Sequence, residues 1–118
     1  MVLTNAGHHT QIVKGLLDMC LLASIANRPN YGFGLVKQLN ELGWHIQNEN
    51  SIYPVLKRLT AEGLIEAELV PSPSGPARKY HTATAAGREM LAEWIDDWSH
   101  VRDVVDVVLA QEPASDSN

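Results

Sequence analysis

Cysteine, phenylalanine and basic residues are all scarce in this 118-residue chain, and it has no long apolar run. The single Cys20 excludes a disulfide framework and suits a reducing compartment. It lies in the apolar stretch Leu16 to Ile25, where a free, buried thiol is expected. No segment approaches the roughly 20 apolar residues of a membrane span. Met1 to Thr10 has neither the basic start nor the apolar core of a signal peptide, so a cytoplasmic location with no membrane partner is expected. The histidines His8, His9, His45, His81 and His100 form no HxxxH pair and have no cysteine partner, and no glycine-rich phosphate loop is present. Zinc chemistry, a Cys-His dyad and nucleotide chemistry are therefore not indicated, and neither an enzyme nor a cofactor is expected. Nine Lys and Arg against fourteen Asp and Glu leave a formal charge of −5, which repels phosphates at long range.

The segment from Ser51 to Ile65 is nonetheless patterned as a helix with two different faces. Ile52, Val55, Leu56 and Leu59 fall at the spacing that buries one stripe, which leaves Tyr53, Lys57 and Arg58 on the remaining surface. Ser51 is positioned to cap the free N–H groups, and Pro54 falls at the third helical position, where its missing donor costs nothing. Gly63 supplies a left-handed residue past the end, and Leu64 is placed to fold back on Leu59, as a Schellman ending requires.

Two strand-like runs, Leu64 to Val70 and Arg78 to Thr82, follow and are joined by Pro-Ser-Pro-Ser-Gly-Pro-Ala. A helix followed by such a hairpin is a winged helix-turn-helix pattern. The expected fold is mainly α with a small β-wing. The charge is also unevenly spread: residues 83–118 hold two basic and eight acidic side chains, while residues 51–82 hold four basic and three acidic ones.

Tyr31-Gly32-Phe33-Gly34-Leu35, Ser51-Ile52-Tyr53-Pro54-Val55-Leu56-Lys57-Arg58-Leu59, Glu62-Gly63-Leu64-Ile65, Arg78-Lys79-Tyr80 and Thr84-Ala85-Ala86-Gly87, in that order and spacing, resemble the PadR family of bacterial transcriptional regulators. The resemblance spans roughly residues 12–110, and it is to the small subfamily in which one long C-terminal helix replaces a larger domain. It implies a regulator, expected to be a repressor, that binds double-stranded DNA. Ser51, Tyr53, Pro54, Lys57, Arg58, Arg78 and Lys79 are then the candidate DNA-binding residues, with Tyr53 and Lys57 near the major groove, Arg58 on phosphate and Arg78 and Lys79 in the wing. Against this, Tyr53 would equally pack under the wing, and the four cations would equally be solvated surface charges. The wing carries Ser74, Gly75, Pro76 and Ala77 where family members often carry basic residues, so few phosphate contacts are expected.

Elsewhere, Gln11 to Ala26 reads as a buried helix closed by Asn27-Arg28-Pro29. Leu35, Val36, Leu39 and Leu42 mark a second helix ended by Gly43, with Lys37 and Gln38 exposed. Trp44 to Asn50 makes the turn into the reading helix. The division expected is an arm over 1–10, a winged helix-turn-helix over 11–83, a dimerisation helix over 84–111 and a disordered tail over 112–118.

In the last helix Leu91, Trp94, Trp98, Val101, Val105 and Val108 are separated by 3, 4, 3, 4 and 3 residues, the seam of a helix that packs along a partner. A span from Ala85 to Ala110 would be about 39 Å long, more than the small winged domain covers, so a homodimer is expected. The β-branched run Val104-Val105-Asp106-Val107-Val108 would also suit a strand, but the heptad favours a helix. Trp94 and Trp98 on one seam are either a packed dimer core or a slot for a planar aromatic ligand. Trp98-Ser99-His100-Val101 resembles the equivalent helix of small PadR-like regulators that respond to aromatic or cationic drugs, which brings the slot level with the packed core. A slot would have Met19 as a neighbouring wall, and Asp97, Asp103 or Asp106 would either favour a cation or be solvated charges. Two alternatives to a ligand-responsive repressor stay open: a winged-helix module that binds protein, and a small-molecule binder without DNA activity.

Overall fold

The computed structural model describes residues 16–113. The expectations for the arm at 1–10, for the start of the first helix and for the end of the tail lie outside the described residues. The chain forms α1 (Leu17–Asn27), a two-residue strand β1 (Asn30–Tyr31), α2 (Gly32–Glu41), a 3-10 turn (Glu49–Ser51), α3 (Tyr53–Ala61), β2 (Ile65–Ser72), β3 (Gly75–Ala83) and α4 (Ala85–Ala110). Mainly helical, with a small antiparallel sheet and a long final helix, it has the expected winged architecture.

The core forms where three short helices and the base of the sheet meet. Leu21, Leu22 and Ile25 of α1, Leu35 and Leu39 of α2, Leu56 and Leu59 of α3, together with Ile52, Leu64 and Ile65, are almost wholly buried. Each such side chain contributes about 1.5–3 kcal/mol of transfer free energy. Val55, Leu56 and Leu59 bury one face of α3 beneath Ile52, and Tyr53, Lys57 and Arg58 remain exposed, as the helical spacing requires.

The ends of α3 differ from each other in how far they meet expectation. Its C-terminus is the Schellman ending: Leu64 N–H donates to Leu59 O at 2.9 Å, Gly63 N–H donates to Thr60 O at 3.0 Å, and Gly63 takes φ +75°. Its N-terminus is not capped by Ser51. A 3-10 turn occupies Glu49–Ser51, Asn48 accepts the Asn50 N–H at 2.9 Å, and α3 starts at Tyr53 with Pro54 at its second position.

The same ending closes α2 and leaves Leu42 outside the buried stripe expected for it. Trp44 N–H donates to Leu39 O at 3.0 Å and Gly43 N–H to Asn40 O at 3.1 Å, with Gly43 at φ +118°. The chain therefore leaves the helix before Leu42 can join the buried stripe. Leu42 is 76% exposed, and Trp44 and Ile46 pack against the core in its place. Gln38 is not free either, because it accepts hydrogen bonds from Ser24 Oγ at 2.9 Å and Asn30 Nδ2 at 3.4 Å. Cys20 is half-buried, and burial raises its thiol pKa.

The sheet has the order β1-β3-β2, all antiparallel. β3 is central, with His81 paired to Asn30 on one side and Ala67 on the other. The hairpin is longer than its sequence suggests. Strand pairing continues to Ser72 opposite Gly75, leaving only Pro73 and Ser74 in the turn, with an irregularity between Val70 and Ser72. Pro71 sits in that irregular step, where a missing ladder donor is tolerated.

α4 spans Ala85–Ala110, the span supposed for it, and the β-branched run at 104–108 is helical. Thr84 caps it, accepting the Gly87 N–H at 3.0 Å. Its first half packs on α1, with Leu91 and Trp94 against the core. Its second half stands clear: Val101, Val105 and Val108 are 49%, 44% and 57% exposed. No helix among the described residues is long and apolar enough to cross a membrane.

Candidate nucleic-acid interface

α3 and the hairpin enclose a cleft of about 960 Å³. Leu56 and His81 lie at its buried side, Tyr31, Phe33 and Tyr53 supply aromatic surface, and Lys57, Arg78 and Lys79 supply charge. The helical period sends Tyr53 and Lys57, four residues apart, to one side of α3. Arg78 and Lys79 of the hairpin also line this cleft. Among the described residues its lining carries three cations and one carboxylate, that of Glu49, a positive balance on a chain that is negative as a whole.

Aromatic contacts hold the wall of the cleft. The Tyr31 and Tyr80 rings lie 5.3 Å apart, the Tyr31 and Phe33 rings 6.4 Å, and the Arg78 guanidinium sits 4.5 Å above the Tyr31 ring. Arg78 is thereby held at the rim of the wing. The Tyr53 hydroxyl donates to Glu49 Oε2 at 2.6 Å, which fixes its ring over the start of α3. The same hydrogen bond, then burial and the Glu49 charge, raise the Tyr53 pKa. His81 is 5% exposed and its Nδ1 has no hydrogen-bond partner among the described residues. Burial first, and Lys79 second, lower its pKa, so the ring is neutral at physiological pH.

Of the seven residues expected on this face, Tyr53, Lys57, Arg78 and Lys79 share the cleft. Ser51 and Pro54 are exposed at the head of α3 outside its lining. Arg58 points elsewhere. Its guanidinium is taken by Asp18 of α1, with Nη2 at 2.7 Å from Oδ1 and 2.8 Å from Oδ2 and Nε at 3.3 Å from Oδ2. This pair raises the Arg58 pKa. Glu49 and Asp18 were not singled out by sequence reasoning. Glu49 precedes Tyr53 by four residues, a spacing at which side chains meet on a helix. Asp18 and Arg58 are 40 residues apart, and no local pattern connects them.

A second cleft, of about 540 Å³, opens between α1 and α4. Met19, Trp94, Trp98 and Val101 line it together with Asp18 and Arg58, so the two tryptophans and the methionine named as a wall face the same space. Asp97, Asp103 and Asp106 do not line it. Among the described residues no group of His, Cys, Asp and Glu is arranged to hold a metal ion.

Residues 21–93 match the family model described as "Transcriptional regulator PadR-like family". A PadR-like transcriptional regulator from Bacillus cereus is 40% identical, with a TM-score of 0.78 over 86% of this chain and 99% of that one. A PadR family regulator from Eggerthella lenta is 31% identical, with a TM-score of 0.81 over 91% of this chain and 93% of that one. A transcriptional regulator of Mycobacterium tuberculosis is 34% identical over 80 residues, which is 68% of this chain and 73% of the relative. The family and these neighbours are regulators and not enzymes. With the model covering the core, the wing and the first third of α4, the chain belongs to the PadR-like family of transcriptional regulators.

Proposed function

We propose that this regulator is a cytoplasmic repressor of the small PadR type, binding palindromic promoter DNA as a homodimer. The observation that carries this reading is the cleft lined by Tyr53 and Lys57 of α3 together with Arg78 and Lys79 of the wing. Two elements distant in sequence offer cations and a hydroxyl-bearing ring to one groove, a combination suited to phosphates and base edges. Residues 11–83 would be the reading domain and 84–111 the dimerisation helix.

The exposed half of α4 supports the dimer. Val101, Val105 and Val108 continue the stripe of Leu91, Trp94 and Trp98 beyond the part that the chain itself covers. A second copy presenting the same stripe would bury it, and the two-fold would set two α3 helices about one DNA turn, roughly 34 Å, apart. The tryptophan cleft lies on that seam, and a planar aromatic effector stacked there would change the separation of the reading helices and release DNA.

Gel shifts on the promoter of the protein's own gene, with random DNA as control and across a salt series, test the reading. Specific binding that weakens with salt is expected. Equal affinity for both DNAs, or none, favours a second reading, a winged-helix module that binds protein. That reading draws on the uncharged wing tip, Ser74 to Ala77, and on the acidic chain as a whole.

A further inference from the structure

α3 reaches the tryptophan cleft through a single side chain. Arg58 is next to Lys57, yet it turns from the nucleic-acid face and lays its fork on both carboxylate oxygens of Asp18. The pair joins α1 to α3, and both partners line the same cleft as Met19, Trp94 and Trp98. Their side chains are 50% and 32% exposed. Water therefore reaches the pair, which is held by its paired geometry and is open to exchange.

Among the described residues, the lining of this cleft apart from Asp18 and Arg58 is apolar or aromatic. These two charges offset each other, so among the described residues a neutral guest meets no uncompensated charge. A guest with a positive charge on its ring system stacks on indole and also meets Asp18, for which it competes with Arg58. Each exchange frees a guanidinium on the reading helix and removes the charged contact between that helix and α1, which stay packed through the core.

We propose that Asp18 is the counter-charge for a planar organic cation in the tryptophan cleft, and that displacement of Arg58 by this cation carries occupancy of the cleft to α3. The proposal rests on the reading of that cleft as a ligand site and adds its charge selectivity and its route to the DNA-reading face. Binding of the cation and the Asp18–Arg58 contact are mutually exclusive, so by linkage each weakens the other.

Acridine and N-methylacridinium test this, because they share one ring system and at mildly alkaline pH differ in charge. Tryptophan quenching and equilibrium dialysis on the full chain read the affinity of each. The parent is expected to bind the methylacridinium more tightly than acridine. Asp18→Asn removes the preference. Arg58→Gln, which leaves Asp18 without its competitor, strengthens methylacridinium binding about two- to fivefold, the range an exposed ion pair spans, and leaves acridine unchanged. Opposite effects from the two ends of one pair would not arise from loss of a merely structural contact, which weakens both dyes in both variants. In gel shifts methylacridinium, which also intercalates into the DNA itself, changes the promoter affinity of the parent more than that of Asp18→Asn. If both dyes quench equally and neither substitution separates them, the exchange is overturned while the cleft stands as a ligand site. If neither dye quenches the parent, the cleft is not a ligand site and the exchange falls with it.

Discussion

Gly87 lies directly against the carbonyl of Leu64, so close that a Cβ on Gly87 would fall on the Leu64 oxygen. That oxygen also accepts the Thr84 N–H at 3.1 Å, and the Thr84 hydroxyl donates to Gly63 O at 2.6 Å. The first turn of α4 is thus seated on the two residues that end α3. The helix proposed to dimerise and the helix proposed to read DNA share one close-packed joint.

Gly87→Ala is expected to force this joint apart, because the obstacle is backbone and has no side chain to swing away. Overpacking of this kind costs about 1–3 kcal/mol. Urea denaturation should show a lower midpoint with an unchanged slope. An unchanged midpoint would mean that the joint yields freely and does not couple the two helices.

On the nucleic-acid face, Lys57→Ala is expected to weaken operator and random DNA alike and to flatten the salt dependence by about one unit, as loss of one phosphate contact does. Tyr53→Ala should cost roughly 1–3 kcal/mol on the cognate site only. Fluorescence anisotropy across a salt series separates these outcomes. Parent-like binding by both variants would place the reader elsewhere.

Val101→Glu should yield a monomer. A carboxylate there would be buried unpaired against the partner's seam, a cost of several kcal/mol that neighbouring contacts do not recover. Light scattering should give twice the chain mass for the parent at micromolar concentration and the single mass for the variant. A monomeric parent removes the dimer and the palindromic site together.

His81 should make stability fall on acidification. Its folded pKa lies below the ordinary value of about 6.5, so the unfolded chain binds the proton more readily. The neutral ring's contribution is complete above that ordinary value, and it is lost as pH falls from there toward the lower folded pKa. Denaturation midpoints at neutral and mildly acidic pH should differ more in the parent than in His81→Gln. Equal pH dependence in the two would mean that other groups carry the effect.

Periodicity and end signals determined the helices locally. The stripe Ile52, Val55, Leu56 and Leu59, the left-handed Gly63 and the heptad from Leu91 to Val108 each act within a turn or two of chain, so their consequences could be read in order. The misreadings arose where several backbone solutions compete within one turn, as at Ser51, whose capping place is taken by a 3-10 turn held by Asn48, and at Leu42, where a Schellman ending brings Trp44 to the core instead. Which charges meet was decided only by the tertiary structure. Lys57 and Arg58 are neighbours in sequence and alike in charge, yet successive helical residues point about 100° apart, so Lys57 faces the wing while Arg58 is claimed by Asp18. No local pattern carries that distinction, because an ion pair across 40 residues exists only once α1 and α3 have packed.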